Sequence, residues 1–160
     1  MRFIGIDPST KTGIVALSGN GEVLLAKEIE KEGKDPERMS ELIQAVSAEI
    51  EDTDIVVIEG FGFTSQRGFI LGGIGWGIRL ELYRRGISYL EIAPAALKKF
   101  ATAKGNANKE KIAVEVYKRW GFEHDSNNVI DAYVLAQIAR ALNGQVELTK
   151  FQKEALNKIS

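Results

Sequence analysis

The 160-residue chain has no cysteine and a single histidine, His124. Without thiols it cannot form disulfides, use a cysteine nucleophile, hold an iron–sulfur cluster or build a cysteine-based zinc site, and one histidine cannot make a multi-histidine cage. Any metal must therefore be held mainly by oxygen. No segment approaches the roughly 18 uninterrupted apolar residues of a membrane span, and the first residues lack the apolar core of a signal peptide. A soluble, cytoplasmic protein that does not contact membrane is expected. Neither sign of charge dominates, with 21 Lys and Arg against 22 Asp and Glu, which argues against coating nucleic acid or anionic lipid by bulk charge.

The charge is nevertheless uneven. Residues 61–120 carry 11 basic and 4 acidic side chains, a net of +7, whereas residues 1–60 carry 6 and 13 (−7) and residues 121–160 carry 4 and 5 (−1). The middle of the chain is the candidate phosphate-binding surface.

Residues 3–8, 12–18 and 22–29 read as strands, and Gly19-Asn20-Gly21 between the last two is a tight hairpin turn, because Asn and Gly accept positive φ. Asp35-Pro36 opens a helix with Pro36 at its first position and Met39, Leu42, Ile43, Val46 and Ile50 on one apolar stripe. Residues 54–59 (Asp-Ile-Val-Val-Ile-Glu) form a central strand. A glycine-rich stretch from Gly60 to Gly77 leads into a helix reaching Arg85, residues 88–92 are a fifth strand, and helices follow over 94–101, 108–120 and 126–142. Thr149 can cap a short last helix whose apolar side is Phe151, Leu156 and Ile159. The expectation is an α/β domain over residues 1–145 and a short helical appendage over 146–160.

Three carboxylates sit inside apolar runs. Asp7 follows Phe3, Ile4 and Ile6; Glu59 ends the fourth strand; Asp131 lies among Val129, Ile130, Val134, Leu135 and Ile138. A buried carboxylate is costly unless paired, hydrogen-bonded or bound to a cation. Neighbouring central strands would place Asp7 beside Glu59, and a helix packed on the sheet would bring Asp131 onto them. Such a cluster suits Mg²⁺ or Mn²⁺, and two such ions would serve phosphodiester cleavage. Plainer readings stay open for each: Asp7 as a turn former, Glu59 as a solvated strand end, Asp131 as an ion-pair partner.

This order of elements, with Ile4-Gly5-Ile6-Asp7-Pro8-Ser9 and Thr12-Gly13, Val56-Val57-Ile58-Glu59, Leu97-Lys98-Lys99 with Gly105-Asn106-Ala107-Asn108-Lys109, and Asp131-Ala132-Tyr133-Val134-Leu135-Ala136, resembles the RuvC family of Holliday-junction resolvases, in particular the short bacteriophage versions. The resemblance covers roughly residues 1–142. It implies a ribonuclease H-like mixed five-stranded sheet flanked by helices, and a homodimeric endonuclease acting with Mg²⁺, or Mn²⁺ in its place, on four-way or branched DNA in a bacterial or phage-infected cell.

On that resemblance Asp7, Glu59 and Asp131 are catalytic metal ligands. The family's usual fourth ligand, three residues before the last Asp, falls on Asn128, which keeps the helical face but loses a charge. A natural neutral ligand, substitution by Asp125 or His124, and an Asp-to-Asn change are the competing explanations, and the last leaves activity impaired. Otherwise His124 is a surface loop residue.

Lys98 and Lys109 match family positions that contact DNA near the scissile phosphate, and the loop around Lys104 offers backbone amides to a phosphate. Phe61 and Phe63, in a loop with Arg67, are candidates to stack on unpaired bases, with a core role for one of them as the alternative. Lys99, Lys111 and Lys118 divide between phosphate contact and ordinary solvation. Trp76 is expected in the core, with a dimer contact as the alternative.

Three other functions compete: a ribosomal-RNA processing nuclease with the same carboxylates, a non-catalytic junction-binding protein if Asn128 disables the site, and an ATPase, since Gly5-Ile6-Asp7 with Ser9-Thr10-Lys11-Thr12-Gly13 resembles the phosphate loop of actin-like and sugar-kinase proteins. The last needs a second such domain, which 160 residues do not supply.

Overall fold

Continuous apolar runs along the central strands, with successive side chains pointing to opposite faces, create two buried faces on one sheet, and helices cover both. The computed structural model describes residues 1–62, 68–157 and 159. Strands β1 (Arg2–Asp7), β2 (Lys11–Ser18) and β3 (Val23–Glu30) form an antiparallel meander; α1 (Glu37–Ala48), β4 (Ile55–Glu59), α2 (Gly68–Arg84) and β5 (Tyr89–Ile92) follow; and α3 (Pro94–Thr102), α4 (Lys109–Trp120), α5 (Asn127–Leu142) and α6 (Lys150–Leu156) complete the chain. The sheet order is β3-β2-β1-β4-β5, with β1 antiparallel to β2 and parallel to β4, and β4 parallel to β5.

Period-two alternation sends Phe3, Val15, Leu17 and Val57 to the face covered by α3, α4 and α5, and Ile4, Ile6, Ile14, Val56 and Ile58 to the face covered by α1 and α2. Helix α5 is buried along almost its whole length, and so is hydrophobic all round rather than amphipathic. Arg140, buried near its end, donates to the Gly19 carbonyl through Nε (3.2 Å) and Nη2 (2.9 Å), which fastens the β2–β3 hairpin to the helix. Thr149 and Gln152 form a capping box on α6. Ala155 of α6 is buried, and Leu156 and Ile159 pack against the same core as α3 and α5.

Two expectations need correction. The glycine row is inside α2 rather than a lead into it: a Cβ on Gly77 would lie 2.1 Å from the Ile43 side chain, so the glycines let α2 settle against α1. Pro36 is the cap of α1 and not its first helical residue, and the cap side chain makes no hydrogen bond.

Helix α3 ends on Ala103, whose φ of 71° places a non-glycine residue in the left-handed region. That conformation costs an L-residue about 1 kcal/mol, so Ala103→Gly should stabilise the protein by about 0.5–1 kcal/mol. A urea midpoint that fails to rise would contradict this.

Candidate active site

The last paired residues of β1 and β4 are Ile6 and Ile58, so the next residue on each, Asp7 and Glu59, emerges at the adjacent carboxyl ends of two parallel strands. Asp131 arrives from α5. One oxygen from each of the three lies within 4.8 Å of the others, and these are the only His, Cys, Asp or Glu side chains so grouped among the described residues. Two glycines make this approach possible. A Cβ on Gly5 would sit 1.9 Å from the Ala132 carbonyl oxygen, and one on Gly13 would sit 2.1 Å from that of Asn128, so α5 rests directly on the backbone of β1 and β2.

The electrostatics of the cluster are unfavourable without a cation. Burial and then the neighbouring Glu59 hold the Asp7 carboxyl well above its usual range, and Asp7 shares a hydrogen bond with Glu59. Burial raises Glu59, opposed by that hydrogen bond and by Lys98. Asp131 is pushed up to about 7, chiefly by burial and then by Glu59, with Lys109 and Lys98 opposing. Three mostly buried oxygen donors that repel one another fit a hard divalent cation.

The cluster lies in an open cleft of about 590 Å³, whose lining includes Lys98, Lys109, Asn128, Phe61 and Gly72. Lys98 comes from α3 and Lys109 is the first residue of α4, which Asn108 caps through its side chain. Asn128 borders the cleft, but its Nδ2 donates to the Lys11 carbonyl (2.7 Å) and faces Ser9 Oγ at 3.4 Å. A carboxylate could not donate to that carbonyl, so an amide fits this position as a tie between α5 and the β1–β2 turn.

Other candidates are placed elsewhere. His124 and Asp125 line an adjoining recess of about 450 Å³ that shares Lys109 and Asn128 with the cleft, and His124 Nδ1 accepts the Ser126 N–H at 3.0 Å. Lys104 is exposed in the α3–α4 loop outside the cleft lining. Phe61 is half-buried, stacked on Trp76 at 5.7 Å between ring centroids. Phe63 and Arg67 lie outside the described residues. Trp76, expected in the core, is 56% exposed.

The +7 segment is not one surface. Arg84 pairs with Glu81, Arg85 with Asp52, Lys99 with Glu154 and Lys111 with Glu115. Arg79 is buried at 1% exposure beside the site. In the sequence Arg79 is only one of the 11 basic residues of that segment, although a cation between Ile78 and Leu82 in an apolar helix is a legible signal.

No protein-family model matches the chain, and no curated protein matches it. Solved structures do. The Thermus thermophilus RuvC structure is similar with a TM-score of 0.71 and 20% identity, covering 93% of this chain and 100% of that one. T. thermophilus RuvC in complex with Holliday junction substrate is similar with a TM-score of 0.73 and 18% identity, covering 93% and 99%. The fold is RuvC-like: a ribonuclease H-like mixed five-stranded sheet flanked, among the described residues, by six helices.

Proposed function

We propose that this protein is an endonuclease that binds four-way or branched DNA and hydrolyses a phosphodiester at the Asp7, Glu59 and Asp131 cluster with divalent metal, Mg²⁺ or Mn²⁺. The observation that carries the proposal is the convergence of these three carboxylates in a cleft flanked by Lys98 and Lys109, on a fold shared with a protein solved with Holliday junction substrate.

Asp7, Glu59 and Asp131 would hold the metal, which when bound supplies a Lewis acid to the scissile phosphate and lowers the pKa of the attacking water. Lys98 and Lys109 orient the phosphate and offset the charge that develops on it. Asn128 holds the start of α5, and hence Asp131, in register with the β1–β2 turn.

The expected result is Mn²⁺-dependent nicking of a synthetic four-way junction and not of linear duplex, weaker in Asn128→Asp, whose carboxylate cannot donate to the Lys11 carbonyl. No cleavage of any junction by either protein would overturn the proposal, and preference for ribosomal RNA would redirect it. Replacing Lys109 by Ala should weaken junction binding and, by deleting one phosphate contact, make the log–log dependence of affinity on salt shallower by about 1. An unaltered slope would remove Lys109 from the DNA contact.

A homodimer belongs to the same proposal. Phe69, Trp76, Leu80 and Tyr83 of α2 are 98%, 56%, 46% and 79% exposed, and their spacing puts them on one side of the helix. A second copy burying this stripe would account for it. Trp76→Glu should then yield monomers in sedimentation, and a wild-type protein that is already monomeric would refute the dimer.

A further inference from the structure

We infer that Arg79 is a positioning residue for the carboxylate cluster, acting through the backbone of Glu59 rather than through charge at the metal; the inference rests on reading the cleft as a metal site. The Arg79 guanidinium is 1% exposed, and it is the bulkiest of the fully buried side chains among the described residues. It joins the end of β4 to β5 and to its own helix α2. Its Nη2 donates to the Glu59 carbonyl at 3.1 Å, its Nη1 donates to the Gly75 carbonyl one turn earlier in α2 at 3.0 Å, and its Nε pairs with Glu91 on β5. Its Cζ lies 4.3 Å from the Phe61 ring centroid. The carbonyl of a metal ligand, the aromatic two residues beyond it, the neighbouring strand and the helix across the cleft are thus held by one rigid planar fork.

Stability does not explain this residue. Taking a guanidinium out of water costs several kcal/mol, and an ion pair whose acid, Glu91, is 46% exposed returns little of it. The Arg79 Cζ lies 4.3 Å from the Phe61 ring centroid and 6.0 Å from that of Tyr89, surroundings that would accept a long apolar side chain. What an apolar side chain cannot do is bond the Glu59 carbonyl, which stands where the chain leaves the sheet; beyond it only the Gly60 N–H to Ile92 carbonyl bond, 2.8 Å, continues the pairing with β5. The cations that lower the raised carboxyls are Lys98 and Lys109, not Arg79. Its action is therefore geometric. Gly75 fits the same arrangement, because a Cβ there would lie 2.7 Å from the Phe61 ring and 3.0 Å from Arg79 Nη1.

The test is Mn²⁺ titration by calorimetry, without DNA, on the full chain carrying Arg79→Met, beside thermal unfolding and junction cleavage. A folded Arg79→Met protein with a midpoint near or above wild type should bind Mn²⁺ about 10-fold more weakly and lose a similar factor in kcat, with KM for the junction unchanged. Arg79→Lys, which keeps the charge without the fork, should recover only part of the affinity. Unchanged Mn²⁺ affinity in Arg79→Met would overturn the assignment. If that variant does not fold, Arg79→Lys decides on the same criterion: weaker binding supports the role and wild-type binding overturns it. Wild-type protein that takes up Mn²⁺ yet cuts no junction would end the nuclease proposal while leaving Arg79 assigned. Wild-type protein that takes up no Mn²⁺ would end both.

Discussion

Asp131→Asn should abolish junction cleavage, by a factor of about 10³ or more, and at the same time make the metal-free protein more stable at pH 8. The two effects share one cause. Burial and then Glu59 push the Asp131 carboxyl up to about 7 in the folded protein, above the ordinary aspartate range, so folding favours its protonated form. A group raised in this way contributes stability that is complete below pH 3.8 and is lost as the pH rises through 7. That difference corresponds to about 4 kcal/mol, which the fold forfeits above pH 7 when no cation is present. An amide is neutral at every pH and escapes that loss. The gain in Asp131→Asn should open above pH 4 and level off above pH 7, worth roughly 10 °C in thermal midpoint for a chain of this size. Adding Mn²⁺ should reverse the order, stabilising the wild type strongly and the variant weakly. Equal midpoints at pH 8 without metal, or equal responses to Mn²⁺, would contradict the cluster as described. Retained cleavage would take Asp131 out of the reaction.

Gly13→Ala should cost at least about 3 kcal/mol of stability and reduce cleavage by 10²-fold or more, although residue 13 touches neither metal nor DNA in this proposal. The added Cβ would meet Asn128 O at 2.1 Å, Asn128 C at 2.3 Å and Val129 N at 2.7 Å. All three are backbone atoms, so no side chain can rotate away, and the first turn of α5 must lift by more than 1 Å. Asp131 is on the following turn and lifts with it, opening the 4.8 Å cluster. Gly19→Ala is the control, since its nearest contact would be an ordinary 3.7 Å to a side-chain oxygen, and it should behave as wild type. Wild-type Mn²⁺ affinity in Gly13→Ala would show that α5 can shift without disturbing the site.

Much of this architecture was legible because it follows from local pattern. The continuous apolar runs at Phe3–Ile6 and Ile55–Ile58 read as buried central strands, and each is followed by a carboxylate that its apolar neighbours mark as out of place. The run of α5 likewise exposed Asp131. Composition narrowed the chemistry, since the absence of thiols left oxygen as the main donor. The glycines of α2 were harder to read: glycine lowers helix propensity, and only the facing Met39 and Ile43 side chains explain why the helix tolerates them. Trp76 was misjudged for a related reason, because apolarity alone does not say which side of a helix the core will occupy.

The sequence by itself determined the elements, their order, the acidic residues and the exclusion of sulfur-based metal chemistry, all of which depend on residues close together in the chain. Tertiary structure alone decided which charges act together. Arg79 became a buried brace and Arg85 an anchor for the end of α1, while Lys98 and Lys109 were left at the cleft. Asn128 turned its amide to Lys11, 117 residues away, and His124 was left in a recess beside the cleft and outside its lining. Charge depends on residue type, but its effect depends on burial and on what lies within a few ångströms, and neither is set by neighbours in sequence.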